Sequence, residues 1–127
     1  VSAAHAYQYV VLRCVPRVDR EEFLNVGVVL YAESAGFLQV AWSVDEARMR
    51  AFAPALDCVE LDAGLRFVGE VCAGSAGAGD AAAGSLGTRF GFLKAPRSTV
   101  LQPGPVHGGI TSDPAATLAV LAERLVG

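Results

Sequence analysis

Residues 25–43, NVGVVLYAESAGFLQVAWS, decide the fold. Two runs rich in β-branched and aromatic residues, Asn25–Glu33 and Phe37–Ser43, flank Ser34-Ala35-Gly36, a short glycine-containing connection of the kind that closes a β-hairpin. The two runs therefore read as antiparallel neighbours. Toward the N-terminus, Tyr7–Val15 has the same composition and stops at Pro16, which gives a third strand. Side-chain alternation groups Val10, Leu12 and Cys14 with Val26, Val28 and Leu30 and with Leu38, Val40 and Trp42 on one core face. The opposite face then carries Tyr7, Tyr9, Val11 and Arg13, then Asn25, Gly27, Val29 and Tyr31, then Phe37, Gln39 and Ala41. Its mixture of aromatic and polar residues predicts only partial cover.

Toward the C-terminus the period changes. Ser43-Val44-Asp45-Glu46 fits a capping box, so a short helix is expected from Ser43 to the proline at 54. A longer helix runs to about Cys72, with Leu61, Leu65, Val68 and Cys72 as its buried stripe and Asp62, Arg66 and Glu70 on a solvated face. Residues 73–87, AGSAGAGDAAAGSLG, hold one large apolar side chain, Leu86, and are expected to form a flexible loop able to span about 20 Å. Thr88–Leu93 fits a strand or a helical turn, and Ser98–Gln102 a short strand. Asp113-Pro114 starts a last helix, aspartate as N-cap and proline at the first helical position, with Leu118, Leu121 and Leu125 as its apolar stripe. This order predicts an α+β fold, an antiparallel sheet of three to four strands with helices packed on one face, in one domain over 1–127.

The chain has 127 residues, 53% hydrophobic and only 18% charged, with a net charge of -3. That balance makes nucleic acid an unlikely partner, because phosphate neutralisation needs a basic stripe. No apolar run reaches the length of a membrane span, and a cytoplasmic protein is expected. Cys14, Cys58 and Cys72 form no CxxC pair, so they read as reduced thiols, with no disulfide framework and no zinc. No motif calls for a cofactor.

Chemistry is concentrated in two segments. Arg13–Asn25, RCVPRVDREEFLN, sets Arg13, Arg17 and Arg20 among Asp19, Glu21 and Glu22. Converging arginines would bind phosphate or carboxylate, whereas a turn of mixed charges would neutralise itself. In the second segment, Arg97, Ser98 and Thr99 with His107 have the residue types of an anion clamp beside a general base. Neither segment contains a P-loop, a GxSxG elbow or an HExxH pair.

The blocks YQYVVLRCVPRVDREEFLNVGVVLY (7–31) and LKAPRSTVLQPGPVHGGITSDP (93–114) resemble the signature segments of a bacterial family of uncharacterised domains, domain-of-unknown-function family 3037. The matching positions are Arg13, Pro16, Arg20, Glu22, Asn25 and Gly27, then Pro96, Arg97, Ser98, Gln102, Pro103, His107 and Gly109. Gly108 stands where the family pattern tends to have a hydroxyl residue, which argues against a catalytic hydroxyl there. The resemblance implies a small accessory protein, and association with a protein similar to the HipA-like kinases. Together these readings point to a binding or adaptor module that recognises a protein partner or a small anion. The alternative is a small enzyme acting on a phosphorylated or nucleotide-like substrate through Arg97 and His107. Candidate ligand-binding residues are Arg13, Arg20, Glu22, Asn25, Arg97, Ser98, Gln102 and His107, with His107 the candidate catalytic group. Homo-oligomerisation through Tyr7, Tyr9, Tyr31 and Phe37 is left open, and the two segments make one site only if they meet in space.

Overall fold

The hairpin forms where the sequence places it. In the computed structural model, which describes residues 3–97 and 99–126, β2 (Leu24–Ala32) and β3 (Phe37–Trp42) pair antiparallel around a 3-10 turn at Glu33–Ala35. Gly36 closes that turn at φ 60, in the left-handed region that a residue without Cβ enters freely. β1 (His5–Cys14) pairs with β2 on its other side. The outer flank of β1 is lined by two short strands, β4 (Leu101–Pro103) and β5 (His107–Thr111), giving a sheet of order β3-β2-β1-β4 with β5 also on β1. The helices are α1 (Glu46–Phe52), α2 (Cys58–Ala73), α3 (Leu86–Lys94) and α4 (Pro114–Leu125).

The α+β class and the antiparallel sheet are as expected, and the sheet has five strands where three to four were anticipated. The additional strand is β5, HGGIT, whose paired glycines lack the β-branched and aromatic composition that marks the other strands. Ser98, the expected start of the preceding strand, lies outside the described residues, and β4 begins at Leu101.

The assignment of faces is corrected at β2. Pairing sets Val10 opposite Val29 and Val11 opposite Val28, so Val28 and Leu30 lie on the face of Tyr9 and Val11, while Val29 and Tyr31 join Val10. A bulge causes the inversion: Leu12 faces Gly27 but Arg13 faces Asn25, leaving Val26 as an extra residue. Both faces of VGVVLY are apolar, so alternation had no polar side to orient by.

Both sheet faces are in consequence core. On one, Val10, Leu12, Cys14, Val29 and Leu38 pack with Met49 of α1, Leu61, Leu65 and Val68 of α2, and Phe90 and Leu93 of α3. On the other, Val28, Leu30 and Ala32 pack with Leu118 of α4. The helices thus divide three and one between the faces, which corrects their expected restriction to a single face. Removing the side chain of a residue as buried as Leu65 or Phe90 would cost about 2–5 kcal/mol.

Local chemistry sets the helix ends. Asp45 caps α1 by accepting from Arg48 N, two residues later than the Ser43 box predicts. Asp57, Ser85 and Asp113 cap α2, α3 and α4 in the same way. Thr88–Leu93, undecided from sequence, belongs to α3. The Ala/Gly stretch expected to be a loop carries 3-10 structure over Ala76–Ala82, with Ala78 and Ala82 buried. Small side chains let it lie close against α2, and no large one was needed. Among the described residues no helix is long and apolar enough to cross a membrane.

Candidate functional site

The two segments meet along the outer flank of β1. Arg13 is the register partner of Gln102, and Tyr9 that of His107. Leu12 opposes Pro103, so two residues of β1 face three in the flanking chain, Gly104, Pro105 and Val106. This second bulge holds a proline where no ladder donor is required. Tyr9, Val11 and Arg13 project from the face that α4 covers, but α4 packs chiefly on β2 and β3 and leaves the flank open.

Arg13 lies at one end of this open strip. Its guanidinium carbon lies 4.1 Å from the centroid of the Phe23 ring, a cation–π stack. On another side the backbone approaches so closely that a Cβ at position 104 would lie 3.1 Å from that carbon. Among the described residues Arg13 has no ion pair and no hydrogen-bond partner, and its Nε is buried without one. Further along the same strand, the Tyr9 and His107 rings stack with centroids 5.2 Å apart and planes 28° apart, and Tyr7 continues the row at 6.3 Å from Tyr9. Gln102 Nε2 donates to Thr99 O at 2.8 Å, which turns that side chain back onto its own loop.

The remaining candidates among the described residues have partners of their own, Asn25 even though it is the register partner of Arg13. Arg97 Nη2 donates to Phe92 O at 2.5 Å and Nη1 to Leu93 O at 3.2 Å, and its guanidinium stacks on Phe92, so it caps the C-terminus of α3. Burial lowers its pKa from the ordinary arginine value. Arg89 does the same for α2, donating to Val71 O and Cys72 O. Asn25 Nδ2 donates to Leu125 O at 2.9 Å and ties the end of α4 to β2. Arg20 and Glu22 are paired with each other; that hydrogen bond raises the arginine pKa and lowers that of the carboxylate. Arg17 pairs with Asp19 at 2.8 Å. Ser98 lies outside the described residues.

Two concavities accompany these groups. A cavity of about 390 Å³ between α2, α3 and β4 is walled by Leu61, Phe67, Phe92 and Leu101, with Arg97, Gln102 and Glu60 on its lining. A shallower groove of about 660 Å³ runs between the Arg17–Glu22 turn and the α1–α2 connection, and Arg20 and Glu22 line it. His107 lines neither, so Arg97 and His107 share no cavity with each other. Burial pushes the thiols of Cys14 and Cys72 up to about 11 and about 12, well above reactive values. Among the described residues no three His, Cys, Asp or Glu side chains cluster to hold a metal ion.

Sequence reasoning missed Phe23 and Gly104, the two residues that frame Arg13. Phe23 follows two glutamates in what reads as a charged turn, and its 41% exposure is the only unusual property it has. Gly104 sits between two prolines, a signal of backbone irregularity without an address.

Fold and site together define a small α+β protein whose bulged sheet flank presents a cation that has no partner among the described residues. The chain belongs to the family described as Protein of unknown function (DUF3037), whose family model matches residues 9–126. Comparison with curated proteins and with solved structures gives no match.

Proposed function

We propose that this chain is a binding module without turnover, which captures a carboxylate or phosphate group carried by a partner or free in solution. The observation that carries the proposal is Arg13, a partly buried guanidinium held between Phe23 and Gly104 with no oxygen partner among the described residues. The rest of the guanidinium's planar fork offers an incoming anion charge-assisted hydrogen bonds. Along the same flank of β1, four residues from Arg13, the stacked Tyr9 and His107 rings offer a flat surface to a ligand long enough to reach them. The other arginines of the two segments already have partners in Glu22, Asp19 or helix carbonyls.

Binding is favoured over catalysis by dispersal. An acid–base mechanism needs its proton-transfer group within reach of the group that holds the substrate, and Arg97 and His107 face different spaces. The protein partner to try first is one similar to the HipA-like kinases, as the family resemblance implies.

Calorimetric titration with inorganic phosphate, followed by co-purification with such a kinase-like protein, tests the reading. The native chain is expected to bind and Arg13→Gln to lose most of the affinity, while Arg20→Gln leaves it unchanged. Equal affinity in Arg13→Gln, or phosphate release from a phosphorylated substrate that requires His107, would overturn it.

A further inference from the structure

The free edge of β5 is an open backbone ladder. Among the described residues β5 pairs only with β1, and its five residues, His107–Thr111, include no Lys, Arg, Asp, Glu or Pro to block a further strand. Ile110 is 75% exposed and Val106 43%, so no helix covers this border. Which backbone groups point outward follows from the neighbouring bonds. Gly104 N donates to Val11 O and Val15 N donates to Val100 O, so odd-numbered residues of β1 direct their groups toward this flank. Through the register, Tyr7 with Gly109 and Tyr9 with His107 use those groups. Gly108 and Ile110 therefore direct their N–H and C=O away from the sheet.

We infer that β5 pairs antiparallel with β5 of a second copy of this chain, about a two-fold axis at Gly109, joining the two sheets edge to edge. In that register Gly108 faces Ile110 of the other copy, and the two outward-directed residues of each strand bond each other. The match of shape is what selects a second copy over an arbitrary strand. Each exposed Ile110 side chain lies across from a glycine, and the axis falls on a non-hydrogen-bonded pair, where Cα atoms approach to about 4.5 Å and a glycine adds no side chain. His107 faces Thr111 of the other copy, so no like charges oppose each other. A pair of five-residue strands buries less than the roughly 800 Å² per partner of a standard interface, which predicts a weak, concentration-dependent dimer. The inference does not rest on anion binding at Arg13, and either can fail alone.

Sedimentation equilibrium of the full chain, with Ile110→Lys and Ile110→Pro beside it, tests the pairing. Ile110 is exposed and its N–H does not serve β1, so both changes spare the fold, which far-UV circular dichroism checks. The native chain is expected to rise from the mass of one chain toward twice that mass as concentration increases, with the Gly108 and Ile110 amides exchanging more slowly in step. Both variants are expected to stay at the mass of one chain. A native chain that stays monomeric at the highest concentration, or a dimer that persists in both folded variants, would overturn the inference. If Ile110→Pro unfolds, Ile110→Lys and the native amide exchange decide it.

Discussion

Arg97 has a defined structural task, and truncating it reads out that task directly. The last turn of α3 leaves carbonyls without intrahelical partners, and Arg97 reaches back to two of them, Phe92 O at 2.5 Å and Leu93 O at 3.2 Å. Each such charge-assisted bond is worth about 1.5–3 kcal/mol when buried, and water reaching the exposed Phe92 carbonyl lowers that figure. The stack on Phe92 adds about 0.5–1 kcal/mol. Because the three contacts share one side chain they do not add, and Arg97→Ala is expected to cost about 2 kcal/mol. Arg97→Lys should recover only a minor part, since one ammonium cannot span two carbonyls and stack on a ring. Urea unfolding followed by circular dichroism measures the loss as a lower midpoint at unchanged slope, about 1 M lower for a slope of about 2 kcal/mol/M. A native midpoint in Arg97→Ala together with lost anion binding would refute the capping role and make Arg97 a ligand arm.

Further outcomes follow from single contacts. Asn25→Ala removes the donor to Leu125 O and is expected to cost about 1–3 kcal/mol, with faster amide exchange confined to the last turn of α4. A thiol reagent at neutral pH should modify Cys58, which is exposed, and spare Cys14 and Cys72 until the chain unfolds. The two buried thiols bind protons more tightly folded than unfolded, so the stability they add is complete below pH 9 and is lost as pH rises from about 9 through about 11 for Cys14 and about 12 for Cys72. Unfolding midpoints measured across that range should fall, and fall less in Cys72→Val. Gly104→Ala places a methyl against the Arg13 guanidinium and should weaken phosphate binding several-fold with little loss of stability, as calorimetry and urea unfolding compared on one preparation would reveal.

The sequence was most legible where one rule acted alone. The β2–β3 hairpin, the α2 stripe of Leu61, Leu65 and Val68, and the Asp113-Pro114 start of α4 all came from local spacing. Reading failed where two rules competed. Gly108-Gly109 signals a turn, yet Gly109 sits in β5 because a Cβ there would meet the Tyr7 ring at 2.6 Å, so close packing and not chain reversal requires it. The faces of β2 were inverted by a one-residue bulge at Val26 that composition does not reveal. Site residues were recognised as types, but their partners were not. Asn25 meets α4 across a hundred positions of sequence, and Arg97 bonds the helix just before it, so the same residue types serve packing in one place and leave Arg13 free in another.

The flank of β1 at Arg13 is the proposed ligand site. Amide and side-chain NMR shifts followed during titration with inorganic phosphate test it most directly. Saturable shifts are expected, centred on the Arg13 side chain and the Gly104 amide and lost in Arg13→Gln. Shifts centred instead on Arg20 and Glu22, or on Arg97 and the cavity beside α3, would contradict it.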